Sequence, residues 1–171
     1  ESIENLYVDN KLNAIAALGT TGGDTINLSK FNRKGKLKWI IRDLPDMPKF
    51  GNYQTTPTMY RLTADYASNI YALYGDGYLG YPDSLTLTKI NHKNGRIIWS
   101  KKPLKELELS GSSIKSGGRS LLVVDNESLL VAASGYFDYK MKTKVLQLDN
   151  KTGAIKDYKV IDNEGATYAS E

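Results

Sequence analysis

Leu85-Thr-Leu-Thr-Lys-Ile-Asn-His-Lys-Asn-Gly-Arg-Ile-Ile-Trp99 reads as a strand, a polar turn and a second strand. Apolar and polar residues alternate up to Ile90, four polar residues break the pattern, and Gly95 opens an apolar run that ends in tryptophan. Period-two alternation marks a half-buried strand, and a polar turn closed by glycine marks a β-hairpin whose glycine takes positive φ. The unit recurs on both sides. Ile26-Asn-Leu-Ser-Lys-Phe31 leads through Asn32-Arg-Lys into Gly35-Lys-Leu-Lys-Trp39. Val145-Leu-Gln-Leu148 leads through Asp149-Asn-Lys-Thr into Gly153-Ala-Ile-Lys-Asp-Tyr158. The third copy is looser, because its aromatic residue stands one place further from the glycine.

A second landmark lies upstream of each hairpin. Leu6-Tyr-Val-Asp9, Leu62-Thr-Ala-Asp65 and Leu122-Val-Val-Asp125 each place leucine three residues before aspartate, and Gly19, Gly75 and Gly135 each follow ten residues later. Between them run the apolar stretches Ala14-Ile-Ala-Ala-Leu18, Ile70-Tyr-Ala-Leu73 and Leu129-Leu-Val-Ala-Ala133. The aspartates are spaced by 56 and 60 residues and the hairpin glycines by 60 and 58, so two independent landmarks share one period. Each copy supplies four short strands in sequence, an antiparallel meander. Its first two strands are the more apolar and are expected to be buried on both faces. The fourth, with Lys36 and Lys38 alternating with Leu37 and Trp39, is expected at an exposed edge that the lysines blunt. A four-stranded unit repeating at this interval predicts an all-β chain of β-propeller blades.

Asn13-Ala-Ile-Ala-Ala-Leu-Gly-Thr-Thr-Gly-Gly-Asp-Thr-Ile-Asn-Leu-Ser-Lys-Phe-Asn-Arg-Lys-Gly-Lys-Leu-Lys-Trp39 resembles the bacterial β-propeller repeat of secreted and surface proteins, and Asp65 to Trp99 resembles a second copy. The stretch Leu148-Asp-Asn-Lys-Thr-Gly153 is similar to the quinoprotein-like (PQQ-like) propeller repeat, from which it departs by carrying Tyr158 in place of a tryptophan one residue earlier. The resemblance covers most of the chain and implies a fold, not an activity.

The expected blades span about residues 3–44, 58–104 and 118–162, leaving a tail at 163–171. Closed propellers have four to eight blades. Three therefore predict a segment of a larger propeller, completed by other residues, another chain or a symmetry mate; a three-repeat arc capped by its own loops is the alternative. The chain opens at Glu1 without methionine or a signal-like segment, which fits either a removed signal peptide or a piece of something longer.

Composition removes whole classes of chemistry. With no cysteine and only His92, the 171 residues hold no disulfide framework, zinc finger, thiol nucleophile or two-histidine catalysis. A formal net charge of +4 is too small to argue for nucleic acid, and no apolar run approaches a membrane-spanning length. No Gly-x-Ser-x-Gly elbow occurs. The sequons at Asn27, Asn126 and Asn150 carry no meaning in a bacterial protein.

Meander topology sorts the loops onto two ends. One end collects the short turns, with Lys34, Lys93 and Lys151 as a solvated basic rim or, alternatively, a contact for an anionic surface. The other collects the long connections, where tyrosine gathers; 12 tyrosines against 3 phenylalanines is the unusual number in this composition. Tyr53, Tyr78, Tyr81, Tyr136, Phe137 and Tyr139 are the candidate binding residues there, because tyrosine combines large contact area with a hydroxyl. Asp76 and Asp83 bracket a glycine-rich loop and are weak candidates for a cation, against the simpler reading of an ordinary turn. Asp9, Asp65 and Asp125 are expected to cap turns through their carboxylates, with an axial cation as the lesser reading. Trp39, Trp99 and Tyr158 are expected between neighbouring blades, and His92 in an exposed turn. A quinone cofactor would need a tryptophan floor, a carboxylate and calcium, so no cofactor is expected.

Together these readings predict a non-enzymatic scaffold that binds a protein or ligand through its long-loop end. Its partners would be a protein or the remaining blades, with homo-oligomerisation possible, in a secreted, periplasmic or cell-surface bacterial setting. A structural spacer and a fragment of a propeller enzyme, quinoprotein or hydrolase, are the alternatives.

Overall fold

The computed structural model describes residues 2–19, 25–47, 57–76, 85–103, 120–123, 127–137 and 140–162. They form three four-stranded antiparallel sheets, each a simple meander. The first holds β1 (Ser2–Val8), β2 (Ala14–Gly19), β3 (Ile26–Phe31) and β4 (Leu37–Ile41). The second holds β5 (Pro57–Ala64), β6 (Ile70–Asp76), β7 (Thr86–Ile90) and β8 (Ile97–Lys101). The third holds β9 (Ser120–Val123), β10 (Ser128–Phe137), β11 (Lys140–Asp149) and β12 (Ile155–Asp162). β1 lies against β5 and β5 against β9, so the first strand of each sheet lines a common centre. This is the arrangement of propeller blades, and the all-β reading holds. Among the described residues no helix is long and apolar enough to cross a membrane.

Side-chain alternation builds two cores, one on each face of the middle blade. Along β6, Ile70, Ala72 and Tyr74 join Ile15, Ala17, Ile26, Leu28 and Trp39 of the first blade. The intervening Tyr71 and Leu73, with Leu85 and Leu87, join Leu129, Val131, Leu146 and Leu148 of the third. The burial expectation needs correction. In the middle sheet the strands buried on both faces are the second and third, seen in the unbroken burial of residues 70–75 and 86–90, while β11 of the third sheet alternates between buried and half-buried residues. β1 instead turns Ile3, Leu6 and Val8 to solvent, since no blade covers its outer side.

The turns repeat too, except that the second hairpin turn is one residue shorter in the first blade, where the Gly35 N–H donates to the Asn32 carbonyl, than in the others, where Gly95 donates to Asn91 and Gly153 to Asp149. The Asp9 Oδ1 carboxylate oxygen accepts the backbone N–H groups of Lys11 at 2.9 Å and Asn13 at 2.8 Å, and Asp65 accepts that of Asn69 at 2.8 Å. These are the expected turn caps; Asp125 lies outside the described residues. In the second hairpins Gly35, Gly95 and Gly153 have φ of 74°, 74° and 73°. A register shift precedes each of these turns, at Lys30/Phe31, Lys89/Ile90 and Gln147/Leu148. The extra residue of each bulge is Lys38, Ile98 or Lys156 on the fourth strand, and the glycine in the left-handed region closes the turn before it without steric cost.

Candidate functional site

The short-turn end of the blades is occupied by a repeated polar interlock. At the first interface the Lys30 ammonium lies 3.6 Å from the Asp9 carboxylate and donates to the His92 carbonyl at 3.3 Å. The Trp39 indole N–H donates to the same carbonyl at 3.0 Å. At the second interface Lys89 stands 3.7 Å from Asp65 and donates to the Asn150 carbonyl at 3.0 Å and to its side-chain oxygen at 2.8 Å. The Trp99 indole N–H reaches the Asn150 carbonyl at 3.2 Å. A lysine from the third strand and a tryptophan from the fourth thus clasp the hairpin turn of the next blade. Lys30 and Lys89 were legible only as polar residues of alternating strands; their shared place two residues before the turn asparagine is the signal that marks them.

Burial shapes the electrostatics here. Desolvation lowers the Lys89 pKa, opposed by the Asp65 charge beside it. The Tyr71 hydroxyl, packed beside Trp99 with ring centroids 6.1 Å apart, donates its single hydrogen to Asp65 at 2.8 Å and lies against the Asn150 side chain. Burial first, then Asp65, raises its pKa. For Asp9, burial pulls upward, but hydrogen bonds from Asn13 and Lys11 and the Lys30 charge prevail and lower its pKa. Every charged group in these clusters has a protein partner, so the chemistry they perform is attachment. The cation reading of Asp9 and Asp65 fails for the same reason, as lysine already occupies that role.

Two expectations are corrected. Tyr158 does not take the tryptophan's place. It pairs with Leu146, whereas the register position of Trp39 and Trp99, opposite Lys30 and Lys89, belongs to Asp157, opposite Gln147. One residue of displacement moves a side chain to the other face of a strand, and Tyr158 is left 48% exposed. His92 is not a free turn residue either. Its carbonyl receives the clasp, and its ring Nδ1 is buried without a hydrogen-bond partner among the described residues.

At the opposite end, Tyr53, Tyr78, Tyr81, Tyr139 and Asp83 lie outside the described residues. Tyr136 and Phe137 end β10, opposite Met141 and Lys140, and Asp76 ends β6 opposite Pro57; their side chains are likewise outside the description. These three strand ends all belong to the long-loop end. The described part of that end contains a hollow of about 430 Å³ lined by Thr25, Arg42, Asp43, Leu44, Asp46 and Met47. Lys102 reaches Asp46 at 3.4 Å on its rim. Among the described residues no group of three His, Asp or Glu side chains gathers in a way that could hold a metal ion.

No protein-family model and no curated protein matches the chain. Among solved structures it is similar to the quinohemoprotein alcohol dehydrogenase from Comamonas testosteroni, at 12% identity and a TM-score of 0.50. The match takes in 93% of this chain and 21% of that one, so the chain spans only a small part of its neighbour. At that identity the likeness shows the propeller-like fold alone.

Proposed function

We propose that the chain is a non-enzymatic propeller scaffold that captures a protein partner through its long-loop end, within a larger secreted, periplasmic or surface protein. One observation carries this reading. At the short-turn end the buried Asp9, Asp65, Lys30 and Lys89 are spent on capping turns and clasping blades, leaving Lys34, Lys93 and Lys151 as an exposed rim, while the long-loop end holds a concave surface edged by Arg42, Asp43 and Asp46. Long loops on a rigid sheet framework are where binding concentrates. The solved neighbour is a quinohemoprotein, but the described residues of this chain do not fit a planar quinone. Both tryptophans stand between blades with their N–H groups committed to the His92 and Asn150 carbonyls, and neither supplies a floor for a ring.

The test is a paired substitution at the tyrosine-rich loops. Tyr81→Ala with Tyr136→Ala should abolish retention of proteins that the unmodified chain captures from its native extracellular fraction, with the Tm nearly unchanged. A large fall in Tm would assign these side chains to packing. Stoichiometric calcium in the purified chain would favour the enzyme-fragment reading instead.

A further inference from the structure

Two apolar side chains stand at the tips of the short-turn end. Leu12, in the turn between β1 and β2, is 67% exposed, and Tyr66, in the matching turn between β5 and β6, is 84% exposed. Leu12 also has a φ of 61°. Its N–H donates to the Asp9 carbonyl at 2.9 Å, as the Ser68 N–H donates to the Asp65 carbonyl at 2.8 Å, and Ser68 has a φ of 66°. The turn thus demands a left-handed residue three places after its aspartate cap. Glycine and asparagine take that conformation at little cost, and a bulky leucine does not. Turned to water, Leu12 gains little packing in return, and strain held without such a return points to function.

Cations surround these tips. Lys11 belongs to the same turn as Leu12, and Arg33, Lys34, Lys93 and Lys151 occupy the second-hairpin tips, all of them exposed. None of the five forms an ion pair among the described residues. The acids nearby are engaged elsewhere. Asp9 and Asp65 are buried beside Lys30 and Lys89, and Asp149 is held by the N–H groups of its own turn and by Lys156 at 3.4 Å. Glu127 is the one exposed acid in the described turns. The clasps hold these turns side by side, since His92 next to Lys93 receives the first blade and Asn150 next to Lys151 receives the second.

We infer that the short-turn end docks on an anionic lipid bilayer. The lysines and Arg33 meet the headgroup charge, Tyr66 sits at headgroup depth with its hydroxyl hydrated, and Leu12 reaches the acyl boundary. Charge complementarity alone would suit an acidic polysaccharide equally well. Such a polymer gives Leu12 no apolar medium to enter, whereas a bilayer interface sets negative charge directly over hydrocarbon. The pairing of cations with apolar tips therefore selects the bilayer. No residue of the long-loop end takes part, so this contact stands or falls separately from the binding reading above.

Co-sedimentation of the whole chain with lipid vesicles tests it. Vesicles of equal parts phosphatidylglycerol and phosphatidylcholine should retain the unmodified chain, and vesicles of phosphatidylcholine alone should retain far less. Raising NaCl from about 50 mM to about 500 mM should weaken retention by screening. Leu12→Asn with Tyr66→Asn gives the left-handed position a residue that suits it and gives the second blade the residue that Asn10 supplies in the first. This variant should keep or raise the Tm yet lose about tenfold in vesicle affinity. Should the pair not fold, Leu12→Asn alone is read in the same way. Lys34→Glu with Lys93→Glu, at exposed tips outside the clasp, should also weaken retention. No retention on the anionic vesicles, or equal retention on both compositions, overturns the proposal. So does full retention of the Leu12 and Tyr66 variant alongside loss in the lysine variant, since charge alone would then suffice and the partner would be an acidic polymer.

Discussion

His92 shows how one residue can serve an interface with its backbone and trouble it with its side chain. The carbonyl holds Trp39 and Lys30 in place. The imidazole pays for that position: burial lowers its pKa below the ordinary 6.5, and the Lys30, Lys93 and Lys11 charges push it further down against a weaker pull from Asp9. In the unfolded chain the ring takes its proton near the ordinary value, so just below it the unfolded state binds more protons than the folded one. Linkage then requires stability to fall as pH drops through this window and to recover as pH rises. Asp9 and Asp149 act in a separate, more acidic range. Asp149, held by the Thr152 hydroxyl and backbone N–H, has its pKa lowered to about 2, so its contribution is lost only below the ordinary 3.8. Urea midpoints measured from about pH 7.5 to about pH 5 isolate the histidine. The expected result is a decline in the unmodified chain and a flat profile in His92→Asn, which keeps the carbonyl and installs the residue found at the same place in the third blade. An equal decline in both would remove the imidazole from the account.

The three hairpin turns place a glycine of one conformation in three environments, although the first turn is one residue shorter than the others. Their glycines share a positive φ, so alanine at any of them costs the same backbone strain, about 1–2 kcal/mol. Packing separates them. The new methyl group enters open space at Gly35 but meets an indole at Gly95 and Gly153. Gly95→Ala and Gly153→Ala should therefore exceed Gly35→Ala by about 1–3 kcal/mol of unfolding free energy, the usual cost of overpacking a filled site. Equal losses in urea unfolding would mean that the tryptophans shift aside at no cost. The same contrast explains what was legible beforehand. Positive φ at a hairpin glycine is a local property, written in the polar turn and the flanking alternation. What packs on that glycine is not local. Lys30 and Lys89 look like solvent-facing residues of their strands until the next blade arrives to bury them, and the offset of Tyr158 gave no hint of its face until the register of β11 and β12 was known. The loop tyrosines were found by composition and topology, and only the strand ends Tyr136 and Phe137 fall within the described residues.

Across the whole molecule the blades are not equivalent, although their period made them look so. The recurrence of landmarks near every 58 residues made the number of sheets legible, because each repeat is a complete meander. It could not show which faces are covered, since that depends on neighbours. The middle blade contributes to both cores, one shared with the first blade and one with the third. The terminal blades each contribute to one, and leave Ile3, Leu6 and Val8 on one side and Val160 and Ile161 on the other exposed. In repeat architectures stability is close to a sum of units and nearest-neighbour interfaces, so a unit with two interfaces opens last. Native-state hydrogen exchange should thus find the slowest amides in β6 and β7, with β1 and β12 exchanging through openings of lower free energy. Interface lesions should act by neighbourhood. Leu28→Ala, in the first core, should cost about 2–5 kcal/mol and deprotect β2 and β3 well before β10 and β11. Leu146→Ala should reverse that order. Uniform protection across the three sheets, or equal deprotection by both variants, would mean that the blades open as a single unit and that the two cores are energetically one.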